Sequence, residues 1–218
     1  MRILPQSLRR LHRHSGPRRL PRFRAAAVAT AAVVSSLALA ACQTPTPAPP
    51  IAPLSFAQYG PIAFDVGQVT VENRYVAPLG GENVEHLAPT PPEQAVRRWV
   101  ADRIQSVGRD GTLRVVIHDA RIVAVPLRVT QGIQGSFRNE QSTRFDGRME
   151  VELVGETGGR RFQGSTIATV ERSLTIPENA SPYVRDRALN DVVSEMMRDL
   201  NYRLETGALG NLAPLIRR

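Results

Sequence analysis

The sequence predicts an α+β fold, a two-layer sandwich in which two helices cover one face of an about four-stranded sheet, in the order β-α-β-β-β-α. Three observations predict it. Apolar and polar residues alternate in four stretches, two other stretches repeat apolar residues every three to four positions, and glycines and prolines punctuate the gaps.

The elements can be taken in chain order. Ile62, Phe64 and Val66 alternate with Ala63, Asp65 and Gly67, and the pattern resumes at Val69, Val71 and Tyr75, so one strand bent at Gly67 is expected. A loop over 78–89 contains Gly80-Gly81. Thr90-Pro91-Pro92-Glu93 has the form of a capping box with proline in the first turn. Val96, Trp99, Val100, Ile104 and Val107 share a helical face, and Gly108 is expected to stop that helix. Leu113, Val115 and Ile117 alternate, then Ala120, Ile122 and Ala124 do so in the opposite parity, which predicts a second strand bulged near His118-Asp119. Pro126 implies that the far half of that strand lies at a sheet edge or has left the sheet.

Gln131-Gly132-Ile133-Gln134-Gly135-Ser136 reads as a turn region. Met149, Val151 and Leu153 face one way and Arg148, Glu150 and Glu152 the other, giving a third strand with one wet face. Gly155-Glu156-Thr157-Gly158-Gly159 then turns the chain into a fourth strand over 162–174, a hairpin that Pro177 ends. Ser181-Pro182 supplies the N-cap and first residue of the last helix, whose apolar face runs through Val184, Ala188 or Leu189, Val192, Met196, Leu200 and Leu204. Gly207 is expected to lie past its end.

Ahead of these elements, the first 24 residues carry eight arginines and no acid, and the next 17 carry no charge at all. That is the basic and apolar order of an export signal. It runs into Leu39-Ala40-Ala41-Cys42, which holds the only cysteine of the chain and resembles the lipobox of bacterial lipoproteins. The resemblance implies that residues 1–41 are a cleaved signal peptide, that the Cys42 thiol is diacylated, palmitate being a typical chain, and that the membrane is reached through it. Gln43 in place of an aspartate is similar to the pattern that sends such lipoproteins to the outer membrane, facing the periplasm. Arg9-Arg10 and Arg18-Arg19 are twin arginines outside a convincing consensus, so general secretion is the expected route.

Residues 43–53 contain five prolines and read as an extended tether, 54–207 as a single domain, and 208–218 as a C-terminal tail. Removing the leader also changes the charge. Of the 28 basic residues eight leave with it, so the remaining 20 match 20 acids and the formal charge falls from +8 to zero. Nucleic acid is therefore not an expected partner. With Cys42 lipidated, no thiol is left for a disulfide, a metal or a nucleophile.

Neither His86 nor His118 stands in a metal-ligand spacing, and no nucleotide-binding or hydrolase motif occurs, so no cofactor, metal or catalytic residue is expected. His118-Asp119 is either a base with its orienting carboxylate or a polar bulge. Trp99, Met196 and Met197 either line an acyl-chain groove between the helices or pack as core. Arg97-Arg98, Arg160-Arg161 and Arg217-Arg218 either meet lipid headgroup phosphates or lie solvated.

Lipobox, proline-rich stalk and the order of elements together resemble small envelope lipoproteins of transport machines, the LptE-like lipopolysaccharide-assembly lipoproteins and the auxiliary lipoproteins of ABC-type lipid transporters. That resemblance implies a non-enzymatic accessory component of an outer-membrane transport or assembly system, with a protein or lipid partner. A lipid-anchored enzyme with dispersed catalytic residues and a structural envelope protein are the alternatives. A cleft joining His118 to a second carboxylate would mark the enzyme, and an exposed sheet edge would mark a protein partner.

Overall fold

Parallel strands need a long crossover between them, and the segment around the first helix supplies one for two pairs at once. The computed structural model describes residues 48–78, 81–128 and 141–217. Cys42, the leader and the 131–136 turn lie outside them. The elements are β1 (Ile62–Phe64), β2 (Gln68–Asn73), α1 (Pro92–Arg103), β3 (Ile104–Ser106), β4 (Thr112–Pro126), β5 (Gln141–Glu156), β6 (Gln163–Pro177) and α2 (Pro182–Asn211). The main sheet has the order β2-β4-β5-β6, with β2 parallel to β4 and the remaining pairs antiparallel. β1 and β3 form a separate two-stranded parallel sheet. The α+β class and the four-stranded sheet are as the sequence predicts.

Three local expectations are corrected. The first strand is two strands in different sheets, because the Gly67 N–H donates to both the Asp110 and Gly111 carbonyls at 3.1 Å and a side chain there would strike the Arg109 carbonyl. The first helix stops at Arg103, five residues before Gly108, since Ile104 takes an extended conformation and pairs with Ile62. The capping box does not form. Pro91 is the N-cap with no side-chain bond, and the Glu93 carboxylate is held by Arg97 Nε and Nη2 at 3.0 and 2.9 Å.

The bulge appears where expected, as a register shift between Ile117 and Asp119. Beyond it β2 no longer flanks β4, whose edge is covered by the 82–84 segment through Val84 N–H to the Ile122 carbonyl and Ala124 N–H to the Glu82 carbonyl, each 2.8 Å. Ser181 caps α2 as expected, its Oγ accepting from Val184 N–H at 3.3 Å.

The end of the chain is corrected too. α2 runs 30 residues, through Gly207 to Asn211, and residues 212–217 are not a tail. Leu212 and Leu215 are fully buried, Asp65 N–H donates to the Leu215 carbonyl at 2.7 Å, and Arg217 N–H donates to the Ala63 carbonyl at 2.9 Å. The C-terminus thus lies along β1 in an antiparallel bridge between Phe64 and Ile216.

One apolar layer joins the helices to the inner face of the main sheet. It includes Leu113, Val115 and Ile117 of β4, Met149, Val151 and Leu153 of β5, and Val192, Met196, Leu200 and Leu204 of α2. Within it Arg103 is only 1 % exposed. Its guanidinium donates to Asn201 Oδ1 at 3.0 Å, the Tyr59 carbonyl at 2.6 Å, the Gly60 carbonyl, and Glu205 Oε2 at 2.6 Å, and it lies 5.6 Å from the Tyr59 ring centroid. Asn201 Oδ1 also accepts from Trp99 Nε1 at 2.8 Å. A planar fork with five donors fits this divergent set of acceptors, whereas an ammonium does not. Arg103→Ala is expected to cost about 1–3 kcal/mol, the range for leaving buried acceptors such as the Tyr59 and Gly60 carbonyls without their donor, and Arg103→Lys to recover little of it. Urea unfolding curves check this, and a loss below about 1 kcal/mol for the alanine variant would remove Arg103 as a structural tie.

Two glycines of α2 give opposite expectations. A Cβ at Gly207 would lie 2.0 Å from Thr166 Oγ1 and 3.0 Å from its Cβ, whereas one at Gly210 meets nothing within 4 Å. Helix propensity alone favours alanine over glycine by about 0.8–1 kcal/mol in a helix interior. Gly210→Ala should therefore raise the midpoint of thermal unfolding slightly, while Gly207→Ala should lower it, and Gly207→Ala combined with Thr166→Ala should restore most of the loss. Stabilisation by Gly207→Ala alone would contradict the close packing of α2 on β6.

Candidate functional site

The residues singled out in the sequence separate into core, surface and one shared depression. Trp99, Met196 and Met197 are all fully buried, so the open groove between the helices is corrected to closed core. Met196 lies directly on Gly147, where a Cβ would come within 2.8 Å of its Sδ and Cε. His118 Nε2 lies 3.0 Å from Glu152 Oε2, on the outer face of the sheet. Asp119 does not orient that imidazole. Its carboxylate instead meets Arg121 Nη1 at 3.0 Å and Arg148 Nε at 3.2 Å.

That outer face carries a mesh of opposite charges. Arg148 reaches Asp119, Glu150 and Glu171 together, and Arg144 meets Asp146 at 2.8 Å. The Arg144 hydrogen bond holds the Asp146 carboxyl below its usual range, and Arg74 does the same for Glu72. Each arginine named on this face has a carboxylate neighbour, so the face presents alternating signs rather than a basic patch.

At the end of the sheet where β4 begins and β5 ends, three arginines surround an open depression of about 760 Å³. Arg109, Arg161 and Arg217 line it beside Asp65, Asp110 and Thr157, over apolar Val107, Phe162 and Pro214. Arg217 pairs with Asp65 at 3.2 Å. Arg109 and Arg161 have no hydrogen bond or ion pair to the described residues. Two of the three dibasic pairs read from the sequence therefore contribute to one place, through Arg161 and Arg217; Arg218 and the Arg160 side chain lie outside the described part of the chain. The third pair points elsewhere. Arg97 is held by Glu93 and Arg98 faces Asp102 at 3.6 Å, beside a depression of about 520 Å³ that the tether residues Ile51 and Pro53 and the first domain residue Leu54 also line. Sequence reasoning missed Arg109, which comes just after the glycine that was expected to end the helix and shows no motif of its own.

A further depression of about 390 Å³ lies between the end of β2 and the start of α1, lined by Tyr75, Ala77, Glu85, His86, Pro91 and Pro92 among others. Glu85, from the 3₁₀ turn Glu85–Leu87, is 7 % exposed. The Tyr75 hydroxyl donates to its Oε1 at 3.0 Å and itself accepts from Asn83 Nδ2 at 3.1 Å. Burial first, then the Glu85 hydrogen bond and charge, push the Tyr75 phenol up to about 12. The folded value lies above the ordinary value of about 10, so the neutral phenol is favoured in the fold. Its contribution to stability is complete below about pH 10 and is lost as pH rises through about 12. Tyr75→Phe should remove that part of the alkaline fall, as followed by denaturant unfolding across the range, and should delete one late step from the ultraviolet titration of tyrosinate. An unchanged titration would show that Tyr75 ionises elsewhere.

No helix among the described residues is long and apolar enough to cross a membrane. No family model matches the sequence, and no curated protein matches it. Among solved structures, the chain is similar to a candidate lipoprotein of Caulobacter crescentus CB15, with 18 % identity over 64 % of this chain and 90 % of that one and a TM-score of 0.32. It is also similar to a Xanthomonas campestris protein of the DUF330 family, with 12 % identity, 73 % and 91 % coverage and a TM-score of 0.33. A minor lipoprotein from Acinetobacter baumannii shares 9 % identity over 70 % of this chain and 96 % of that one, with a TM-score of 0.31. At these identities and scores the similarities assign neither a family nor a ligand.

Proposed function

We propose that the chain is a bacterial envelope lipoprotein, anchored through lipidated Cys42, whose domain works as a non-enzymatic binding component of an outer-membrane transport or assembly system. The observation that carries this reading is where the fold starts. Leu54 already packs against the core, Phe56 is 5 % exposed, and Phe56 N–H donates to Asp102 Oδ2 at 2.8 Å. Only the proline-rich residues 43–53 then separate the lipobox cysteine from the domain. At about 3.1 Å per residue they span roughly 30 Å, so the domain would work close to the bilayer. The Arg109, Arg161 and Arg217 depression supports a partner with anionic groups, for which lipid headgroup phosphates are the nearest source.

Cys42→Ala is expected to move the protein from the membrane to the soluble fraction of a cell lysate, since lipidation is the anchor in this reading. Wild-type recovery in membranes would refute it. With residues 43–218, which carry neither leader nor lipid, binding to phosphatidylglycerol vesicles should weaken about fivefold for each of Arg109→Gln and Arg161→Gln, at about 1 kcal/mol per arginine near an anionic surface. Sedimentation with vesicles reads this directly, and no change would take the depression out of the proposal.

A further inference from the structure

We propose that the depression between β2 and α1 binds a primary ammonium group, with Glu85 as its counter-charge. The site stands independently of the anchor and of the arginine-lined end. Three features of the geometry point to it.

The first is the state of Glu85. A carboxylate removed from water is costly unless paired, and no arginine or histidine forms an ion pair with Glu85 among the described residues. Its hydrogen bonds are incomplete as well. Oε1 accepts from the Tyr75 hydroxyl, while Oε2 has only the Ile122 N–H at 3.5 Å, beyond good hydrogen-bond length. An ionised carboxylate has about four acceptor positions, so capacity remains.

The second is the lining. The phenol of Tyr75, the methyl groups of Ala77 and Ala120, and the rings of Pro91 and Pro92 give an apolar part to the wall beside Glu85, and Asn73, His86, Glu93 and Gln94 complete the lining. Those apolar groups suit the methylene stem of an amine. The third is the balance of charge. No arginine lines this depression, and its other carboxylate, Glu93, is already held by Arg97. The carboxylate left to set the field inside is therefore Glu85, with the His86 imidazole also in the lining.

The chemistry selects among cations. Glu85 needs N–H donors, which a primary ammonium offers three times and a quaternary ammonium not at all. Recognition of a quaternary group uses a cage of several electron-rich aromatic faces, and among the lining residues only the Tyr75 phenol and the His86 imidazole are aromatic rings. An amino-lipid headgroup and a peptide amino terminus share the recognised chemistry.

The test uses the full chain, with alanine methyl groups isotopically labelled so that Ala77 and Ala120 report from the walls. Titration with butylammonium chloride at constant ionic strength should shift both methyl resonances saturably, with tetramethylammonium at least about tenfold weaker. Glu85→Gln should abolish the response. Because that variant also disturbs the Tyr75 contact, Ala77→Trp provides a second block that leaves Glu85 intact at an exposed position, and it should abolish the response at Ala120. Phosphatidylcholine nanodiscs with added phosphatidylethanolamine, and an amidated dialanine peptide, separate a lipid source from a peptide one, and a shift with either supports the site. Equal response to tetramethylammonium, persistence of the shift in Glu85→Gln, or no shift with butylammonium would overturn the proposal.

Discussion

Three parts of the chain that share no sequence neighbourhood meet at the Arg103 guanidinium: the turn at Tyr59 and Gly60, the end of α1, and Asn201 and Glu205 on α2. Apolar faces alone permit helices to slide along a sheet, because hydrophobic burial has no direction. A buried charge whose acceptors come from separate elements permits one arrangement, since any slip leaves it unpaired. Trp99 binds the same Asn201 oxygen, so the two largest buried side chains of α1 are keyed to one position on α2. With that helix fixed, its close approach to Gly147 and Thr166 is determined, and the packing of the inner face is set.

The two faces of the main sheet are held by different physics. Inside, area removed from water dominates. Outside, arginines and carboxylates alternate across β4, β5 and β6, and their worth as exposed pairs is modest, about 1 kcal/mol or less each. Their aliphatic stems have another effect. Val116 points away from the helices, opposite Glu72 on one side and Glu152 on the other, yet it is 1 % exposed. Long charged side chains cover it while keeping their heads in water.

Most local signals were readable in the sequence, the Thr90–Glu93 capping box excepted, and distant ones were not. The bulge at His118, the β5–β6 hairpin and the Ser181 cap each depend on a few adjacent residues, and each forms as expected. The split at Gly67 depends on the 109–111 loop. The early end of α1 depends on Ile62, a partner more than forty residues away in the chain. Arg103 reads as an ordinary solvated arginine of a helix end, and nothing near it in the sequence betrays the four groups it serves. The same holds for the candidate sites: Arg161 and Arg217 stand out as dibasic pairs, but Arg109 joins them only through the fold. Glu85 sits in a polar loop where a solvent-facing acid would be the default, and its burial is decided by Tyr75 and β4.

The antiparallel bridge between Phe64 and Ile216 joins the beginning of the domain to its end. A chain is made amino terminus first, so β1 waits for a partner that follows it by about 150 residues. Until Leu212 and Leu215 are in place, one end of the apolar layer is open to water. A chain cut before Leu212 would consequently be released with an exposed core, suited to quality-control proteolysis rather than to use.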